Sequence, residues 1–163
     1  MAEFTEIQAA YYMVAATGVL VAAVYYVLNM RANSKARQAQ MFMGIYERFN
    51  TPDAIDSSIR LLNLKVKDFD EFHRLLNESN ADGRSLNWYS AYFEGLGVLV
   101  REKFIDIRLV SLLLYGELKW FWEKYGSYWR QYRVAESYPR AMVEGEFLYD
   151  SVMEYGKKHL GQG

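Results

Sequence analysis

Ala9-Ala-Tyr-Tyr-Met-Val-Ala-Ala-Thr-Gly-Val-Leu-Val-Ala-Ala-Val-Tyr-Tyr-Val-Leu-Asn-Met30 is a run of 22 residues without one charged side chain. A helix needs about 20 predominantly apolar residues to cross a hydrocarbon core of ~30 Å. The run therefore predicts a transmembrane helix over 9–30, preceded by a short extracytoplasmic segment, 1–8. Tyrosine pairs stand near both ends, Tyr11–Tyr12 and Tyr25–Tyr26. Their amphipathic rings suit the headgroup level and read as two interfacial belts.

Charge orients the span. Glu3 and Glu6 precede it, whereas Arg31, Lys35 and Arg37 follow it. The excess of cations on the carboxyl-terminal side puts that side in the cytoplasm and the amino terminus outside. A cleaved signal peptide would need a basic leader, a shorter apolar stretch and a small-residue cleavage site. The first two are missing, and Tyr25, Tyr26 and Leu28 make a poor cleavage environment. The expected location is thus the cell membrane, crossed once. Ala15, Gly18 and Ala22 fall on one face of the span. Small residues at such spacing let a second helix approach closely, so this face is a candidate helix–helix contact.

The 133 residues after Met30 are enough for one domain. Without Glu3 and Glu6, 19 basic residues face 18 acidic ones, a net charge of +1. That balance argues against a nucleic-acid partner, which selects a clear basic excess. The chain has no cysteine, which excludes disulfides, thiolate nucleophiles and zinc–cysteine or iron–sulfur sites.

No segment of this body alternates like a strand. Residues 31–50 continue the anchor as a juxtamembrane helix, and 51–163 read as the cytoplasmic helical domain. Thr51-Pro52-Asp53 supplies an N-cap, a proline at the first helical position and an acidic first turn. Ile55, Ile59 and Leu62 form the apolar stripe that follows. A second short helix begins at Asp68 and carries Phe69, Phe72, Leu75 and Leu76. Asn80-Ala81-Asp82-Gly83 reads as a turn, with Ser85 capping the helix of Trp88, Tyr92, Phe93, Leu96, Leu99 and Val100. Asp106 caps a further helix. Ser137 and Pro139 are expected to open the last one, which ends at Gly161 or Gly163.

Residues 120–133 carry the strongest pattern of the body. At ~100° per residue, Tyr128, Phe121, Tyr132, Tyr125, Trp129 and Trp122 share an arc about 120° wide. A stripe of that kind reads as core. Trp120 lies in the opposite, polar arc, and Arg130 and Arg133 flank the stripe. These three form a candidate partner surface, because Trp, Tyr and Arg are common interface anchors.

Catalytic signals are thin. His73 and His159 are the two histidines. Asp70 and His73 supply one loose half of a bundle metal site that needs Glu-x-x-His from two helices. Gly95-Leu96-Gly97 lies within a helix rather than after a strand, so it serves close packing, not a dinucleotide. Glu94, Asp106, Glu144 and Glu146 suit helix caps, or ion pairs with Arg101, Arg108 and Arg140, better than acid–base work. No catalytic residue, metal or cofactor is implied.

The stretch Trp88-Tyr-Ser-Ala-Tyr92-Phe93-Glu94-Gly95-Leu96-Gly97-Val-Leu-Val100, continued by Phe104-Ile105-Asp106 and Trp120-Phe-Trp122, resembles a family of short prokaryotic proteins. In those proteins an amino-terminal membrane helix precedes a cytoplasmic helical domain of unknown function. The resemblance implies an anchor and an all-α fold, a single membrane helix running into a compact helical bundle. It carries no reaction or ligand over. The expected role is a non-catalytic accessory or scaffold subunit in contact with membrane lipid and with a larger membrane protein or a second copy. The alternative is a membrane-tethered regulator or sensor that binds a small ligand between its helices.

Overall fold

The computed structural model describes residues 2–161, with side chains from Phe4 onward. Every regular element among them is a helix: α1 (Ala2–Phe49), α2 (Pro52–Asn63), α3 (Phe69–Asn77), α4 (Ala81–Arg101), α5 (Ile107–Leu113), α6 (Tyr115–Ala135) and α7 (Val143–His159). Contacts divide the chain into two units, one ending at Gln40 and one beginning at Met41.

The first unit is the bulk of α1. It is long and apolar enough to cross a membrane, and none of its most apolar window is buried by protein. Thr17, the one hydroxyl side chain between Tyr12 and Tyr25, returns its proton to the Met13 carbonyl at 2.8 Å. That bond satisfies the hydroxyl within its own helix, as apolar surroundings require.

The second unit begins earlier than the expected boundary at residue 51. Phe42 and Phe49, assigned by sequence to the juxtamembrane helix, are buried members of its core. α4 lies at the centre and packs on α7, α2 and α3, while α6 packs on α7 and α3. The α6 stripe is core, as its periodicity predicts: Phe121, Trp122, Tyr125 and Trp129 are buried, and Tyr128 and Tyr132 partly so. Its polar tips also do structural work. Tyr125 Oη donates to the Leu61 carbonyl at 2.7 Å. Lys124 Nζ donates to the carbonyls of Leu61 and Leu62, both at 2.8 Å. These are carbonyls of the last turn of α2, where a cation is also favoured by the helix dipole.

Gly97 explains how closely α4 and α7 meet. A Cβ there would run into the Glu144 backbone, whereas one on Gly95 would meet nothing. The pair thus splits, with one glycine at the contact and one facing outward.

Two helix starts differ from expectation. α4 begins at Ala81, capped by Asn80, whose Oδ1 accepts from Gly83 N at 2.8 Å. The Asn-Ala-Asp-Gly sequence is the first turn of the helix rather than a separate turn. Ser85 lies inside α4, buried, and donates to Ala81 O at 2.8 Å. The second case is Ser137, which ends α6 instead of opening α7. Its φ of 51° is left-handed, and Tyr138 N–H returns to Arg133 O at 3.1 Å, the long bond of a helix C-terminal motif. α7 begins only at Val143, after Met142 at φ 53°. At the far end Gly161 adopts φ 62° just past Leu160, as a terminating glycine should; Gly163 lies outside the described residues.

Gly97→Ala should lower the stability of the body by about 1–3 kcal/mol through overpacking. Gly95→Ala should raise it by about 0.5–1 kcal/mol through helix propensity. Thermal unfolding followed by circular dichroism distinguishes the two. By the same measurement Ser137→Gly should stabilise by about 1 kcal/mol, since glycine relieves the left-handed strain of a side-chain-bearing residue.

Candidate functional site

Three of the carboxylates singled out by the sequence, Glu94, Glu144 and Glu146, gather where α7 starts. Met142 offers α7 no side-chain cap. The cap comes instead from α4: Glu94 Oε2 accepts from Gly145 N at 2.8 Å. Burial, opposed by that hydrogen bond, pushes the Glu94 carboxyl above its ordinary 4.5. Arg133 closes the same junction from α6. Its Nε donates to Ala141 O at 2.6 Å and its Nη2 to Met142 O at 2.8 Å, and Nη1 pairs with Glu146. Arg130 Nε reaches the other oxygen of Glu146 at 2.6 Å. Burial alone would raise the Glu146 carboxyl, but hydrogen bonds from Arg133 and Arg130 outweigh it and hold it below 4.5. Glu144 pairs with Arg101. Asp106 caps α5 through Arg108 N at 2.9 Å.

The residues expected to face a partner also make contacts within the body. Arg133 and Arg130 hold the turn before α7 and the side chain of Glu146. Trp120 is partly buried, donates its indole N–H to Glu117 Oε2 at 2.8 Å and packs on Tyr89 with ring centroids 5.8 Å apart. Because α6 starts at Tyr115, Trp120 lies well inside the helix and its angle apart from the stripe holds; Tyr89 of α4 covers that side. His73 pairs with Glu136 at 3.0 Å, between the rings of Phe69 and Tyr132. Among the described residues no three His, Asp or Glu side chains are grouped to hold a metal ion.

The residues expected to contact the membrane or a second helix within it are all on the first unit. Ala15, Gly18, Ala22, the four tyrosines, Arg31, Lys35 and Arg37 are exposed, and a Cβ on Gly18 would meet nothing.

A different site emerges in the second unit. Ile55, Ile59 and Leu62, expected as the buried stripe of α2, are about half exposed at 48%, 54% and 54%. The core takes Ala54 and Leu61 instead. At ~100° per residue the apolar positions of α2 span an arc of about 160°, wider than one packing face uses. The surplus side lines a groove of about 410 Å³ with Tyr46, Phe49, Tyr89, Leu113 and Leu114. Three polar side chains converge there. Ser58 Oγ donates to Glu117 Oε2 at 3.2 Å. Tyr89 is fully buried, with Ser58 and Glu117 beside its hydroxyl. Burial raises the pKa of that hydroxyl and keeps it protonated. The sequence signal for this groove was the excess width of the α2 apolar arc; nothing in the spacing marked Ser58, Tyr89 or Glu117.

Residues 12–152 match the family described as a domain of unknown function, DUF4760. The chain belongs to the DUF4760 family. No curated protein and no solved structure matches it. The match covers α2 to α6 entire and most of α1 and α7, so both the capped junction and the groove lie within the DUF4760 region.

The two carboxylates at the α7 junction predict opposite pH slopes. Glu146, depressed in the fold, contributes stability above 4.5 that is lost as pH falls through its folded pKa. Glu94, raised in the fold, costs stability as pH climbs from 4.5 through its folded pKa. Glu94→Gln keeps an acceptor for Gly145 and should abolish the decline on the high-pH side. Glu94→Ala should lose about 1 kcal/mol at acid pH through the missing cap, a deficit that narrows as pH climbs because the wild type alone then bears the cost of the buried carboxylate. Unfolding free energies measured between acid and neutral pH check both.

Proposed function

We propose that the protein is a non-catalytic, membrane-anchored accessory subunit. It crosses the cell membrane once, with the amino terminus outside and the helical body in the cytoplasm. The observation that carries this reading is the apolar run of α1, which is long enough to span and wholly unburied by protein. An unburied apolar surface of that length is unstable in water and favourable in lipid. The cations Arg31, Lys35 and Arg37 behind it, against Glu3 and Glu6 before it, support the orientation. The open face at Ala15, Gly18 and Ala22 suits close contact with a second transmembrane helix, in a membrane protein or in a second copy. Carboxylates engaged as caps and ion pairs support a body built for packing rather than for acid–base chemistry.

A second reading, a membrane-tethered sensor that binds a small ligand, is favoured by one observation: the groove beside α2 with Ser58, Tyr89 and Glu117 in its lining. Its volume falls within the ~300–1,000 Å³ of small-molecule sites.

Native mass spectrometry of the full chain, extracted from its own membranes in mild detergent, tests the subunit reading. The expected species is a defined complex heavier than the 19.1 kDa chain, which Gly18→Leu reduces to the lone chain. A lone chain in both preparations contradicts it.

A further inference from the structure

Resting on the ligand-binding reading, we infer that the groove beside α2 is a site for a small lipophilic organic cation, an ammonium group carried on an apolar body. The apolar part of the site is Ile59 and its neighbours on α2 facing Phe49 and Tyr46. These half-exposed aliphatic side chains gain from being covered, at about 25 cal/mol for each Å² of apolar surface removed from water.

The polar end decides the charge of the ligand. Among the described residues lining the groove, Glu117 is the one with a formal charge, and it is negative. An anionic headgroup there would meet a carboxylate and no cation. An ammonium would meet a charge-assisted hydrogen-bond acceptor. The Glu117 carboxylate is held in place by Ser58 and by Trp120 Nε1, so little ordering remains to be done on binding. Tyr46, Phe49 and Tyr89 add aromatic surface, whose faces attract cations where water is displaced.

Tyr89 lines the same end of the groove, fully buried beside Ser58 and Glu117, and forms part of its wall.

The test uses the full chain in phosphatidylcholine nanodiscs, with empty nanodiscs as the partition control. Three probes share one apolar body: 4-phenylbutylammonium, 4-phenylbutanol and 4-phenylbutyrate. Isothermal titration should give saturable binding of the ammonium, about tenfold or more tighter than the alcohol, and none of the carboxylate. Glu117→Gln, which keeps an acceptor for Ser58 and Trp120, should weaken the ammonium by about tenfold or more and leave the alcohol unchanged. Ile59→Arg, at a half-exposed position that the core does not use, should abolish ammonium binding while circular dichroism stays that of the wild type. Equal or tighter binding of the alcohol or the carboxylate overturns the cation assignment and leaves a ligand site of other chemistry. Absence of saturable binding by all three overturns the site itself.

Discussion

The constraint that organises this protein is that its longest apolar surface, residues 9–30, is unburied among the described residues. A run of that composition cannot remain in water at acceptable cost. The body, for its part, builds its core from residues beginning at Phe42. That core is dense in Phe, Tyr and Trp, each of which contributes about 150–250 Å² of buried area.

Aromatic cores impose a polar obligation, and the structure meets it in two ways. Tyr125, Tyr128 and Tyr92 direct their hydroxyls to the carbonyls of Leu61, Val66 and Ile45, so core packing and helix-end satisfaction become one set of contacts. Lys124 joins Tyr125 at the end of α2, although desolvation there lowers the pKa of its ammonium. These bonds position α2, and the position of α2 leaves Ile55, Ile59 and Leu62 uncovered. The groove is thus a consequence of how α6 holds α2. The obligation is not met everywhere: among the described residues the buried indole N–H groups of Trp122 and Trp129 have no hydrogen-bond partner.

Much of the architecture was legible in the residues, for reasons that are local. The uncharged run, the Thr51 and Asp68 caps, the Asp106 cap and the aromatic arc of α6 are each set by neighbours a few positions away. The failures share a different cause. Ser137 has the composition of an N-cap, but its backbone is taken by the end of α6, and α7 receives its cap from Glu94, 51 positions distant from Gly145. Asn80 rather than Ser85 starts α4 because Gly83 must pack in its first turn against the backbone of Leu75 and Glu78. The contacts of Trp120 with Glu117 and of Arg133 with the turn before α7 are likewise invisible in the spacing. In each case a tertiary partner overrides a local preference, and sequence spacing carries no record of that partner. The groove was partly visible, since α2 has more apolar arc than one face can bury. Its polar end was not, because Ser58, Tyr89 and Glu117 come from three helices.

Hydrogen–deuterium exchange of the full chain in lipid nanodiscs tests most directly whether the apolar run of α1 is housed in lipid. Amides of residues 12–28 should be the slowest to exchange in the chain, slower than the buried centre of α4, because the hydrocarbon excludes the water that exchange requires. The protection should end near Arg31. Exchange across 12–28 as fast as that of a water-exposed helix would contradict the membrane span and, with it, the division between anchor and body.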